Sequence, residues 1–159
     1  MENSSFPVRK NPRLPGFDYT ARRFYFITVC TRNREPCLCQ ISGTVEQPTV
    51  RLLPAGKIVQ EELQRLPQRV PGLAVEQWCI MPDHLHMILS VGCYGGEKTP
   101  PVTRIMGNFK GGVSRRCKRP VWQASFHDHV IRGPADAEEI MRYIENNPRK
   151  WVLDRNFEP

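Results

Sequence analysis

Two apolar runs broken by a turn dipeptide dominate the middle of this chain: Trp78-Cys-Ile-Met-Pro-Asp-His-Leu-His-Met-Ile-Leu-Ser90. Pro82-Asp83 is a turn pair, so the runs read as two strands joined by a short connection. Side chains alternate along a strand, which puts His84, His86 and Ile88 on one face and Leu85, Met87, Leu89 and Val91 on the other. The second set is continuously apolar and predicts a helix packed over it. The first places two imidazoles about 6–7 Å apart, close enough to bind one divalent cation. An arbitrary His-x-His is more often a pair of ordinary surface residues, so the functional reading depends on what else the chain carries.

A chain of 159 residues forms one domain with a genuine core. Residues 1–21 read as a flexible basic lead-in without the apolar centre of a signal peptide, 22–152 as the domain and 153–159 as a tail. No run of 18 apolar residues occurs, so no membrane-spanning helix is expected. Without a signal peptide the expected place is the bacterial cytosol, with the nucleoid. The net charge of +7 favours a polyanionic partner, although a basic surface alone is weak support. Cys30, Cys37, Cys39, Cys79, Cys93 and Cys117 lack paired zinc-site spacing and read as reduced thiols.

Arg22 to Thr31 is rich in aromatic and β-branched residues and apolar on both faces, which predicts a central strand. Phe24, Phe26, Thr28 and Cys30 share one side, and Tyr25, Ile27, Val29 and Thr31 the other. Val45 to Leu53 suggests a small hairpin across Gln47-Pro48. Ile58, Val59, Glu62, Leu63 and Leu66 recur at helical steps, with Pro67 as the expected stop. Leu73 to Met81 is the strand antiparallel to the histidine strand, and Tyr94 to Pro101 a loop. Val102, Ile105, Met106, Phe109 and Val113 trace a second helix whose other faces carry Arg104, Lys110, Arg115 and Arg116. Phe126 to Arg132 is the last strand. A final helix follows, with Asp136 as N-cap candidate and Pro148 discouraging continuation past Asn147. The order β-α-β-β-α-β is a ferredoxin-like α+β pattern: an antiparallel sheet with helices on one face and a C-terminal helix added.

That last helix carries Tyr143-Ile-Glu-Asn-Asn-Pro148, in which Tyr143 and Asn147 project one turn apart from one face. Alone, such a tyrosine is usually core packing. Together with Met81-Pro-Asp-His-Leu-His86, the chain resembles the single-tyrosine HUH transposases, the small insertion-sequence transposases and their REP-associated relatives. The Tyr25-Phe-Ile-Thr28 opening, Ile105-Met-Gly-Asn-Phe-Lys110, Trp122-Gln123 and Asp128-His-Val-Ile-Arg132 are similar to that family as well. The glycines of the second helix and Arg149-Lys-Trp151 depart from its commonest forms.

The resemblance implies Tyr143 as nucleophile, with His84, His86 and Asn147 holding a divalent cation, Mg²⁺ or Mn²⁺. It implies single-stranded DNA with hairpin structure as substrate, nicked and rejoined through a 5′-phosphotyrosine. Arg104, Lys110, Arg115 and Arg116 would contact DNA, and His129, in a second His-x-His, would be structural or touch DNA. A homodimer is compatible with this reading. Two rivals stand beside it: a catalytically silent hairpin-binding module, and a zinc hydrolase, for which no carboxylate or cysteine at ligand spacing is present.

Overall fold

The computed structural model describes residues 22–94, 97–98 and 100–156. The lead-in, Tyr19 and the last residues of the tail fall outside that range. Alternation in the sequence becomes three long-range strand pairings: β1 (Arg22–Cys30), β4 (Leu73–Ile80), β5 (His84–Tyr94) and β7 (His127–Val130) form an antiparallel sheet in the order β4-β5-β1-β7. With α1 (Pro54–Arg69) after β1 and α2 (Val102–Cys117) after β5, this is the ferredoxin-like α+β arrangement. β1 and β5 are central, as their two-sided apolar character requires.

The sheet has a core on each face. Ile27, Val29, Leu85, Met87 and Leu89 meet Val59 and Leu63 of α1 and Ile105, Met106, Phe109 and Val113 of α2. Each such side chain, fully withdrawn from water, contributes about 1.5–3 kcal/mol. The opposite face, with Phe24, Phe26 and Ile88, is covered by Ala137, Ile140 and Ile144 of α3 (Pro134–Asn156). The histidine face of β5 is therefore the one that α3 covers, while α1 and α2 lie on the other side.

Two helices run further than their prolines suggest. α1 continues through Pro67 to Arg69, and α3 through Pro148 to Asn156. A proline removes one donor and strains one preceding carbonyl, a local cost that tertiary packing overrides. For α3 that packing includes Val152, buried at 5% exposure, and contact with the hairpin of β2 (Cys39–Gly43) and β3 (Pro48–Leu52). The hairpin is also displaced from expectation: β2 is Cys39–Gly43 and β3 is Pro48–Leu52, so Pro48 opens the second strand and Gly43, at φ 89°, ends the first. Gly56 lets α1 approach this hairpin, since a β-carbon there would sit 2.0 Å from the Leu38 carbonyl oxygen. Within the expected 94–101 loop, β6 (Glu97–Lys98) pairs with the end of β5. Asp136 does not cap α3. The first helical bond runs from Ala137 N–H to Gly133, and Asp136 reaches back to accept the Arg132 N–H at 3.0 Å.

Cys30, Cys37, Cys39, Cys79 and Cys117 are free thiols. No helix among the described residues is long and apolar enough to cross a membrane.

Candidate active site

His84 and His86 open β5, two residues apart on one face, and their rings lie 4.6 Å apart between centroids at 73°. Each is oriented from behind. Register places Thr28 of β1 opposite His86, and Thr28 Oγ1 lies 2.9 Å from His86 Nδ1. The turn residue Asp83 puts Oδ1 2.8 Å from His84 Nδ1. With a carboxylate and a hydroxyl accepting from the two Nδ1–H groups, both Nε2 atoms keep their lone pairs.

Those lone pairs converge with a third donor. Asn147 Nδ2 donates to the Tyr143 carbonyl at 2.9 Å, which turns Asn147 Oδ1 toward the histidines, 3.4 Å from His84 Nε2. His86 Nε2 is buried and has no hydrogen-bond partner among the described residues. A buried acceptor without a donor is costly, and two acceptors facing each other gain nothing by themselves. The set fits a divalent cation: ligands bound at about 2.0–2.2 Å and roughly at right angles stand about 3 Å apart. Among the described residues no three His, Cys, Asp or Glu side chains group as a metal site, because the third donor here is an amide.

Electrostatics support a neutral imidazole at His86. Burial, and secondarily the neighbouring His84, push the His86 pKa down to about 3. For Asp83, burial opposes ionisation, but hydrogen bonds from His84 and Arg34 outweigh it and hold the carboxyl below its usual range. Tyr143, half-buried on α3, sets its ring edge-on to His86 at 5.4 Å and to Phe26 at 6.3 Å. The structure thus brings together Tyr143, His84, His86 and Asn147.

The basic residues of α2 are not part of this cluster; they lie across the sheet. Arg104 and Arg115 are exposed and make no ion pair among the described residues. Arg116 binds Glu61 and Glu62, the latter at 3.0 Å. Glu62 is buried, yet hydrogen bonds from Arg116 and Arg69 overcome the burial penalty and keep its carboxyl below the ordinary range. Lys110 donates to the carbonyls of Gln123 and Ala124 at 2.7 and 3.0 Å. His129 is tied to the buried Asp136 at 3.1 Å, a structural placement.

Sequence reasoning missed three contributors: Thr28 and Asp83, which orient the imidazoles, and Arg34, whose Nε donates to Asp83 Oδ2 at 3.2 Å. Asp83 had a signal in its position directly before His84. Thr28 and Arg34 had none, since strand register and turn conformation bring them in.

No protein-family model matches the chain. An uncharacterized protein from Haemophilus influenzae is 29% identical over 177 residues, spanning 98% of this chain and 96% of its own length. A second protein from that organism, provisionally named a REP-associated tyrosine transposase, is 24% identical over 83 residues, 45% of this chain and 47% of that protein. Among solved structures, a REP-associated tyrosine transposase bound to a REP hairpin matches with a TM-score of 0.61 at 20% identity, over 91% of this chain and 73% of that one. A protein described as a transposase from Deinococcus radiodurans matches at 0.51 and 19% identity, over 87% and 97% of the two chains. The fold is shared with these transposases, and the resemblance carried by the two motifs is borne out.

Proposed function

We propose that the chain is a single-tyrosine HUH transposase that nicks and rejoins single-stranded DNA flanked by a hairpin. One observation carries this reading: the ring of Tyr143 stands edge-on to His86, whose buried Nε2 has no hydrogen-bond partner among the described residues and lies in one cluster with His84 Nε2 and Asn147 Oδ1. The hairpin substrate is suggested by the solved REP-associated transposase, which is bound to one.

A phenol with pKa near 10 is a weak nucleophile at neutral pH, so the site must supply charge and alignment. His84, His86 and Asn147 would hold Mg²⁺ or Mn²⁺, whose Lewis acidity polarises a phosphate oxygen when bound. Tyr143 supplies the nucleophile. Its oxygen bonds to phosphorus as its proton leaves, the P–O3′ bond breaks, and the departing oxygen takes a proton to become a free 3′-hydroxyl. The 5′-phosphotyrosine conserves the phosphoester bond, so a 3′-hydroxyl of another strand reverses the step and joins DNA. Thr28 and Asp83 keep the two imidazoles in the donor tautomer throughout.

The test is direct. Labelled single-stranded hairpin DNA is incubated with the protein and Mn²⁺, then denatured. A covalent protein–DNA band is expected, and peptide mapping should place the nucleotide on Tyr143. Hairpin binding without any adduct would make the chain a silent DNA-binding module instead.

A further inference from the structure

Beyond the strand-cleavage reading on which it rests, we infer that Arg34 grips the phosphodiester next to the scissile one. The turn after β1 is held in an unfavourable backbone shape. Asn33 and Arg34, adjacent and neither of them glycine, have φ of 58° and 53°, in the left-handed region that L side chains adopt at a cost. Thr31, fully buried, fixes this turn: its carbonyl accepts the Arg34 N–H at 3.0 Å, and its single hydroxyl proton is shared between the carbonyls of Glu35 at 2.8 Å and Asp83 at 3.1 Å.

The result folds the Arg34 side chain back toward the site. Its Nε donates to Asp83 Oδ2 and one terminal nitrogen to Cys30 Sγ at 3.1 Å. A guanidinium has five N–H donors, so three remain, on a side chain 53% exposed. The other oxygen of Asp83 holds His84. One carboxylate therefore links the exposed cation to the first imidazole, within two side chains of the reacting centre.

Two consequences follow from charge and shape. Asp83 places a negative charge beside a site that must admit an anionic strand, and Arg34 offsets it. The remaining N–H groups form a planar fork that suits the two non-bridging oxygens of a phosphodiester. A salt bridge serving the turn alone uses only the Asp83 edge of that fork and is indifferent to the chemistry of the DNA.

That difference supplies the test, a cycle between protein and DNA. Single-turnover adduct formation is measured for wild type and Arg34→Ala on hairpin DNA, with either normal phosphates or one neutral methylphosphonate flanking the scissile bond on each side in turn. Arg34→Ala should slow cleavage of normal DNA about 10- to 100-fold with hairpin binding retained. At one flanking position the methylphosphonate should slow the wild type similarly yet leave the variant no slower than before. Should the alanine variant fail to fold, Arg34→Gln and Arg34→Lys complete the same cycle, lysine recovering part of the rate. Losses that multiply at both positions overturn the inference while leaving the cleavage reading intact. A wild type that forms no adduct overturns the cleavage reading and this inference with it.

Discussion

Thr28→Val removes one oxygen from β1 and keeps the side-chain shape. That oxygen is the partner of His86 Nδ1, at 2.9 Å, on an imidazole only 4% exposed. The ring then has two responses. It keeps the proton on Nδ1 as a buried unsatisfied donor, at roughly 1–3 kcal/mol, or moves it to Nε2 and leaves Nδ1 as the orphan. The second response turns the Nε2 donor atom into an N–H and destroys the converging lone pair. Stability should therefore fall by about 1–2 kcal/mol in urea unfolding, and Mn²⁺ affinity by about 10- to 100-fold in calorimetric titration, the usual loss when a ligand's orienting partner is removed. Thr28→Ser keeps the hydroxyl and should recover most of both. A valine variant that binds Mn²⁺ as tightly as wild type would refute the tautomer argument, because no other described residue holds His86 Nδ1.

Tyr143→Phe preserves the ring contacts with His86 and Phe26, so unfolding free energy should change by less than about 1.5 kcal/mol while adduct formation vanishes and hairpin binding stays; cleavage by the phenylalanine protein would move the nucleophile elsewhere. His86 stays neutral when folded, its pKa near 3, but titrates near 6.5 when unfolded, so the unfolded chain binds the extra proton as pH falls. Metal-free stability should be full above about pH 6.5 and decline by up to roughly 1.4 kcal/mol per pH unit below it, before carboxylates with lowered pKa such as Asp83 and Glu62 protonate. His86→Asn should flatten that slope between about pH 6.5 and 4.5; an unchanged slope assigns it to other groups. On α2, Arg104→Ala and Arg115→Ala should each weaken hairpin binding and lower its salt slope by about one unit or less, whereas Arg116→Ala should chiefly lower the melting temperature, since it strips the buried Glu62 of a partner. Equal salt slopes for Arg104→Ala and wild type would place that face of α2 away from DNA.

The elements and their facing were legible because alternation is a strong signal. The split between His84-His86-Ile88 and Leu85-Met87-Leu89 assigned the core under α1 and α2, while the second core, where Phe24, Phe26 and Ile88 meet α3, was found in the structure. The pair Tyr143 and Asn147 was legible because helical periodicity fixes four-residue neighbours. What was hidden depends on non-local facts. That Thr28 meets His86 requires the β1–β5 register, with Cys30 opposite His84, which no periodicity supplies. That Arg34 turns back on Asp83 requires a left-handed turn with no glycine to announce it. The prolines misled for a related reason: Pro67 and Pro148 carry a local preference against helix, and the packing that overrides it, Val152 for α3, comes from distant parts of the chain.

Site and scaffold also divide along the sheet in a way that bears on the chemistry. The donors facing the centre are two imidazoles and an amide, none of them a carboxylate, while the nearby carboxylate, Asp83, stands behind His84 with its oxygens engaged by His84 and Arg34. A carboxylate in the front position would bind a cation more tightly, but would also cancel part of the charge that an anionic phosphate needs. Held behind the imidazole, the same negative charge raises the basicity of the donor nitrogen without facing the front of the site. Tyr143 and Asn147 come from one helix, and Asn147 is aimed by the Tyr143 carbonyl itself. Tyr143 and Asn147 therefore arrive together or not at all, and the seating of α3 on Phe26 and Ile88, extended past Pro148 by buried Val152, sets both positions in a single packing event.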